Sequence, residues 1–110
     1  MIDWNRISTL RDEVGAEDFD EVVELFLDEV EEVIERLRAT PDPGTLEGDL
    51  HFLKGSALSL GFVAFSTLCQ QGETRSAAGA AATVDLAEIL DCYEASKKVF
   101  VAELPTAFAA

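Results

Sequence analysis

Apolar side chains recur every three or four residues along most of the chain. The clearest run spans residues 19–37 and keeps this spacing for five helical turns, with Phe19, Val22, Val23, Phe26, Leu27, Val30, Val33, Ile34 and Leu37. A stripe of this kind is typical of a helix that packs in a bundle. No segment alternates between apolar and polar residues for long enough to indicate a sheet. The pattern therefore predicts an all-α protein.

Residues that favour helix ends set the limits of the first two helices. Asp3 is suited to cap a helix over residues 4–14, and Gly15 is suited to end it. Residues 40–44 include two prolines, which lack a backbone donor and disfavour helical geometry in the residue before them. The second helix is therefore expected to end before this segment.

The sequence pattern predicts a third and a fourth helix joined by a tight reversal of the chain. Thr45 is suited to cap a third helix over residues 46–60. Gly61 then lets the chain reverse into a fourth helix over about residues 63–77.

A last helix follows the small-residue segment 77–82. Thr83 is expected to cap this helix and Pro105 to end it, leaving a short tail. Lys97 interrupts its apolar pattern, which otherwise recurs at helical spacing in Leu86, Ile89, Leu90, Tyr93, Phe100 and Leu104. Four amphipathic helices with short connections predict an antiparallel up-down four-helix bundle, with the first helix as a short N-terminal cap. A chain of 110 residues has the length of a single domain over residues 1–110.

The third predicted helix contains the only histidine of the chain. At about 100° per residue, one stripe of this helix carries Leu46, Leu50, Leu53, Ala57 and Leu60. The adjoining face carries His51, Lys54, Gly55 and Leu58. The histidine is therefore expected to border the buried stripe without belonging to it.

Charge is distributed unevenly around this histidine. The chain has a formal net charge of −14, yet residues 50–72 contain no Asp or Glu, and Lys54 is the only Lys or Arg between Arg38 and Arg75.

Residues 12–35 hold twelve carboxylates, which we interpret as a solvated helix face and not as a metal site, because metal ligands converge from turns. The net charge opposes binding to nucleic acid or to an anionic membrane. Partners are therefore expected to be proteins.

The residues around His51 suit phosphoryl transfer. An imidazole is substantially neutral near pH 7 and can hold a phosphoryl group as a phosphoramidate. Such a group brings about two negative charges, which nearby carboxylates repel and the ammonium of Lys54, three residues on, attracts. At an exposed site this attraction is worth only about 0.2–1 kcal/mol, so Lys54 is expected to orient and partly neutralise the group.

Two glycines, Gly48 and Gly55, are neighbours of His51 along the helix surface. Each costs about 0.5–1 kcal/mol relative to alanine inside a helix, so their presence requires a reason. They could leave the imidazole open to another protein, or they could permit close packing of helices. The spacing alone favours neither explanation.

The stretch from His51 to Ser56, His-Phe-Leu-Lys-Gly-Ser, followed by Leu60-Gly61, resembles the signature of histidine-containing phosphotransfer (Hpt) domains. The resemblance implies that His51 is the phosphoacceptor, that Lys54 is its electrostatic helper and that Gly55 clears access to it. It implies a phosphocarrier without ATP-dependent kinase activity, which exchanges phosphoryl groups reversibly with aspartates of receiver domains. No cofactor is expected on the chain, and Mg²⁺ is expected on the partner receiver.

One residue departs from the family pattern. Glu73 is aligned where some relatives carry glutamine near the histidine. A carboxylate there could hydrogen-bond the non-nucleophilic ring nitrogen, or it could weaken acceptance of phosphate. Both roles remain open at this stage.

Docking of a receiver is expected on the small and apolar surface around His51. The residues proposed for this surface, besides Gly55 itself, are Gly48, Leu58, Phe62, Ile7 and Glu73. For Ile7, as for Trp4 and Leu10, the main expectation is packing over one end of the bundle, with docking as a second role. We expect a monomer. Two alternatives remain: a scaffold that binds receivers without phosphotransfer, and a helical adaptor or dimerisation domain with an incidental histidine.

The N-terminal residues lack the basic and apolar regions of a secretory signal, which favours a cytoplasmic protein. Cys69 and Cys92 lie far apart in the sequence and form no CxxC pair, so we expect reduced thiols in the core, with neither a zinc site nor a disulfide.

Overall fold

The structure, a computed structural model, describes residues 2–107. Within this range five helices follow one another: α1 (Trp4–Val14), α2 (Phe19–Ala39), α3 (Leu46–Ser59), α4 (Val63–Ala77) and α5 (Leu86–Ala107). A single 3₁₀ turn, Ala81–Thr83, joins α4 to α5, and no strand occurs between residues 2 and 107. The predicted all-α bundle is confirmed.

The predicted apolar stripes meet in one core. All five residues of the α3 stripe are buried, and α2 contributes five buried residues from its predicted run. Aromatic rings fill the centre, where the centroid of Phe62 lies 5.4 Å from that of Phe100, and the centroid of Phe65 lies 5.3 Å from that of Tyr93. The core therefore fixes which face of α3 points to solvent.

The ends of α1 follow the sequence prediction. The Oδ1 atom of Asp3 accepts hydrogen bonds from the backbone N–H groups of Asn5 and Arg6, and Gly15 ends the helix with a φ of 89°. The backbone N–H of Asp3 also donates to the carbonyl of Gly61 at 2.8 Å. This bond ties the start of α1 to the turn between α3 and α4, where Gly61 has a φ of 71°.

Both predicted limits of the last helix are wrong. Asp85, and not Thr83, caps it: the Oδ1 atom of Asp85 accepts the N–H of Glu88, whereas the Thr83 hydroxyl donates to the Ala80 carbonyl within the 3₁₀ turn. Pro105 lies inside α5, which continues to Ala107. A proline in the last turn removes one helical hydrogen bond near an end that water can reach. Residues 108–110 of the predicted tail lie outside the described range.

Lys97 interrupts the apolar pattern of α5 because it forms an ion pair with α2. Its Nζ atom lies 2.7 Å from the Oε2 atom of Glu31, which also accepts the hydroxyl of Tyr93 at 3.0 Å. This half-buried contact joins α2 to α5 on their shared side.

An ion pair holds the first turn of α3 against α2. The guanidinium of Arg36 donates to both carboxylate oxygens of Asp49, at 2.9 and 2.7 Å, and Asp49 also accepts the hydroxyl of Thr45. Thr45 thus precedes α3 as predicted, but its side chain makes no capping bond to the backbone of the helix. Asp49 lies two residues before His51, so the pair fixes the start of the helix that carries the histidine.

Asp49→Asn should lower the thermal unfolding midpoint at neutral pH. Hydrogen bonds from Arg36 hold the pKa of Asp49 below its ordinary value. A carboxyl group whose pKa is lower in the folded than in the unfolded state stabilises the protein when the pH is above its unfolded-state pKa. This contribution is lost as the pH falls through its folded-state pKa. The deficit of the variant should therefore shrink between about pH 5 and about pH 2 in circular-dichroism melts. Asp28→Asn, on the exposed side of α2, is the control, and a pH-independent deficit would contradict this account.

Candidate functional site

His51 projects from α3 into solvent, with 71% of its side chain exposed. Its Nδ1 atom lies 2.9 Å from the Oε2 atom of Glu73 on α4. An ionised carboxylate can only accept a hydrogen bond, so Nδ1 carries the hydrogen in this contact. In the neutral ring the lone pair is then on Nε2, which is the atom directed away from the carboxylate.

Glu73 is held from two sides. Its Oε1 atom accepts a hydrogen bond from the Nζ atom of Lys54 at 2.7 Å, while its Oε2 atom contacts His51. Two hydrogen bonds, the more important one from Lys54 and the other from His51, lower the pKa of Glu73 below its ordinary value. The carboxylate therefore stays ionised, and keeps accepting both bonds, in mildly acidic solution.

Lys54 is engaged by α4 and is not free beside the imidazole. Its Nζ atom donates to the Oε1 atom of Gln70 at 2.9 Å as well as to Glu73, and 21% of its side chain is exposed. The structure thus brings Lys54 to His51 through the carboxylate of Glu73. The predicted proximity is present, but the ammonium neutralises a protein carboxylate in this state.

The local sequence explains how four side chains meet. His51 and Lys54 are one turn apart on α3, and Gln70 and Glu73 are one turn apart on α4. The Gly61 turn folds the two helices against each other, so the two pairs face across the groove between them. The sequence shows each pair, but the register between the helices is needed to show the contact.

The two glycines beside His51 are not packing glycines. A Cβ atom built on Gly48 or on Gly55 would meet nothing within 4 Å. The close-packing explanation is therefore unsupported at both positions, whereas open surface around the imidazole agrees with the structure. Gly72 on α4 is the helical glycine that does lie against its neighbours.

The surface proposed for docking is only partly available. Leu58 is 57% exposed and lines an apolar groove between α1, α3 and α4, together with Asp3, Arg6, Ala57, Gly61, Val63, Ser66 and Thr67. Ile7 and Phe62, by contrast, are 0% and 1% exposed because both belong to the hydrophobic core. Their proposed part in docking is therefore withdrawn. Val63 is half exposed on the groove and was not identified from sequence, because its place depends on the α3–α4 turn.

The Hpt domain model matches residues 21–99, which is more than two thirds of the chain and includes the whole site around His51. The chain belongs to the Hpt family. Hpt domains are histidine phosphocarriers of two-component phosphorelays that interact with receiver domains, and they are not kinases. No curated protein and no solved structure matches the chain.

Among residues 2–107 the Hpt domain has neither a candidate metal cluster nor a candidate membrane-spanning helix. Over residues 2–107, no group of three or more His, Cys, Asp or Glu side chains is arranged to hold a metal ion. Among the helices in that range, none combines the length and the apolar character that crossing a bilayer requires. The buried Cys69 and the half-buried Cys92 are both free thiols.

Gly55→Ala should stabilise the domain by about 0.5–1 kcal/mol, because alanine favours the helix and its Cβ enters open space. Gly55→Leu should also fold, but it should slow phosphoryl uptake from a receiver about tenfold or more by obstructing the approach to His51. Urea unfolding and a transfer assay measure the two effects. Gly48→Ala is the control for the gain in stability. Uptake by Gly55→Leu at the wild-type rate would contradict a role for Gly55 in access.

Proposed function

We propose that this Hpt domain is a phosphorelay intermediate in which His51 accepts a phosphoryl group from a receiver aspartate and passes it to another receiver aspartate, reversibly. The observation that carries the proposal is the state of the imidazole. Its Nδ1 atom is held by Glu73, and the exposed ring leaves Nε2 as the nitrogen that a partner can reach.

The transfer is a displacement at phosphorus. The Nε2 lone pair attacks the phosphorus of the aspartyl phosphate, a nitrogen–phosphorus bond forms, and the bond between phosphorus and the aspartate oxygen breaks. The aspartate leaves as a carboxylate with the bonding electrons. Because Nδ1 keeps its hydrogen, the phosphorylated ring carries a positive charge, and the reverse reaction with a second aspartate restores the neutral imidazole.

Glu73 contributes to both directions of this reaction. Its carboxylate stabilises the positive ring through the Nδ1 bond, and it fixes the tautomer with the lone pair on Nε2. An isolated carboxylate would also repel the incoming phosphoryl group. Lys54 offsets this charge at 2.7 Å, so we propose that it neutralises the carboxylate of Glu73 and not the phosphoryl group, which differs from the role expected from sequence.

The receiver is proposed to dock over the exposed α3 face and the adjoining groove at Leu58 and Val63. Both side chains are at least half exposed, and Leu58 lies two turns along α3 from His51. Gly48 and Gly55 leave the surface on either side of the ring flat enough for close approach. We expect one receiver to bind one Hpt monomer, with any Mg²⁺ that the reaction requires bound by the carboxylates of the receiver.

Incubation with a phosphorylated receiver and Mg²⁺ should give acid-labile, base-stable label on the protein, and His51→Gln should abolish it. Leu58→Glu should slow labelling by a receiver about tenfold or more, because a charge enters an apolar contact. The same variant should react with the small donor phosphoramidate like the wild type, since its imidazole is unchanged. Label that survives in His51→Gln would place the site elsewhere.

The alternative functions give different results in the same experiment. A receiver-binding scaffold would bind receivers, with binding weakened by Leu58→Glu, but would take no label. A helical adaptor or dimerisation domain would take no label, would not bind receivers and would sediment as a dimer. The hydrogen-bonded imidazole favours the relay over both alternatives.

Glu73→Ala should slow acceptance about 10- to 100-fold, the effect expected for losing a hydrogen bond to a charged group. Lys54→Met should slow it less, and it should have little further effect once Glu73 is alanine, because Lys54 acts through that carboxylate. Single-turnover rates of the two single variants and the double variant form the cycle. Glu73→Gln is the matched control, because its amide oxygen can still accept from Nδ1. Independent, multiplying effects would instead indicate that Lys54 contacts the phosphoryl group directly.

A further inference from the structure

Gly72 packs against neighbouring side chains that leave no free space for a Cβ atom. It is buried, and a Cβ atom built on it would lie 2.7 Å from the Cδ1 atom of Leu50 on α3. The same atom would lie 3.3 Å from side-chain methyl groups of Ile89 and Val84. A side chain at this position would therefore meet three neighbours at once.

The two residues in this contact stand next to the two residues of the site. Leu50 precedes His51 on α3, and Gly72 precedes Glu73 on α4. The 2.9 Å bond between Nδ1 of His51 and the carboxylate of Glu73 therefore spans the same pair of helices, one residue further along each. The packing contact and the hydrogen bond therefore both join α3 to α4 at adjacent residues.

We infer that Gly72 is a positioning residue for His51: by allowing α4 to lie against Leu50, it keeps Glu73 within hydrogen-bond reach of Nδ1. The effect of Gly72 on phosphoryl transfer rests on the proposed function, but the effect of Gly72 on the imidazole can be measured separately. It assigns to one glycine the geometry that holds the imidazole.

The nearest atom is the end of the flexible Leu50 side chain, so adjustment is limited by the burial of Leu50 and by the contacts at 3.3 Å with Ile89 and Val84. Leu50 is fully buried, so its Cδ1 atom cannot turn into solvent to make space for a methyl group. Overpacking of this kind forces side chains off their rotamers or shifts the backbone. A hydrogen bond weakens steeply with distance and angle, so a displacement of α4 by a fraction of an ångström should weaken the bond between Nδ1 of His51 and the carboxylate of Glu73.

The test is Gly72→Ala, measured in two ways. Nitrogen-15 chemical shifts of the imidazole, taken where the ring is neutral, should show Nδ1 losing hydrogen occupancy relative to the wild type. Acceptance from a phosphorylated receiver should fall between about 10- and 100-fold, the effect expected for a small misplacement of reacting groups. Gly72→Ala with wild-type ring shifts and a rate within about twofold of the wild type would overturn the inference.

A second variant separates geometry from general instability. Leu50→Val removes the Cδ1 atom that the added methyl group would meet, so the double variant Leu50→Val, Gly72→Ala should recover the wild-type ring shifts and most of the rate. Ile34→Ala, which truncates a buried side chain of α2, should lower stability and leave the ring shifts unchanged. If Gly72→Ala does not fold, the double variant decides, and its failure to restore the ring shifts would overturn the inference.

The two readouts also separate this inference from the proposed function. If the wild type takes no label from any receiver, the relay proposal fails, while altered ring shifts in Gly72→Ala would still establish the positioning role. If the wild type is labelled and the ring shifts do not respond to Gly72→Ala, the positioning role fails alone.

Discussion

The site depends on one carboxylate shared between an imidazole and an ammonium. Glu73 accepts from Nδ1 of His51 through one oxygen and from Lys54 through the other, and only 14% of its side chain is exposed. Partial burial strengthens each of these bonds relative to a fully solvated pair. Glu73 on the neighbouring helix α4 therefore fixes the orientation of the imidazole through Nδ1, while the rest of the ring stays exposed to solvent.

The charges around this carboxylate are arranged against the trend of the chain. Glu73 is the first acidic residue after Asp49, and Asp49 is itself paired with Arg36. Asp49 and Glu73, the two acidic residues that flank residues 50–72, are thus each matched by a cation, although the chain as a whole carries a net charge of −14. A dianionic phosphoryl group can approach this face with less repulsion than it would meet over α2, where acidic residues predominate.

The sequence predicts most of what lies within one helix and little of what lies between helices. The α3 stripe and the exposure of His51 follow from helical periodicity, and both are found in the structure. The bond to Glu73 remained one of two possibilities because it depends on the register of α3 against α4. The docking role proposed for Ile7 and Phe62 was wrong for a related reason, since periodicity alone does not show whether an apolar residue near a helix end reaches solvent; the packing role predicted for Ile7 is confirmed. Thr83 was predicted as the cap of α5, but its hydroxyl is used within the 3₁₀ turn and Asp85 caps the helix instead, which depends on where that turn ends.

In the proposed relay His51 both accepts and releases a phosphoryl group, and a carboxylate at residue 73 suits this better than an amide, although either can accept from Nδ1. During acceptance the ring changes from neutral to positive, and a negative partner on Nδ1 stabilises the product more than a neutral one would. The same charge opposes accumulation of negative phosphoryl oxygens nearby, which favours release. Lys54 moderates the second effect without removing the first, because it binds the opposite oxygen of the carboxylate. The balance between the two effects is thus held in a cluster of four side chains, with Gln70 fixing the lysine and the close packing of α3 on α4 fixing the rest.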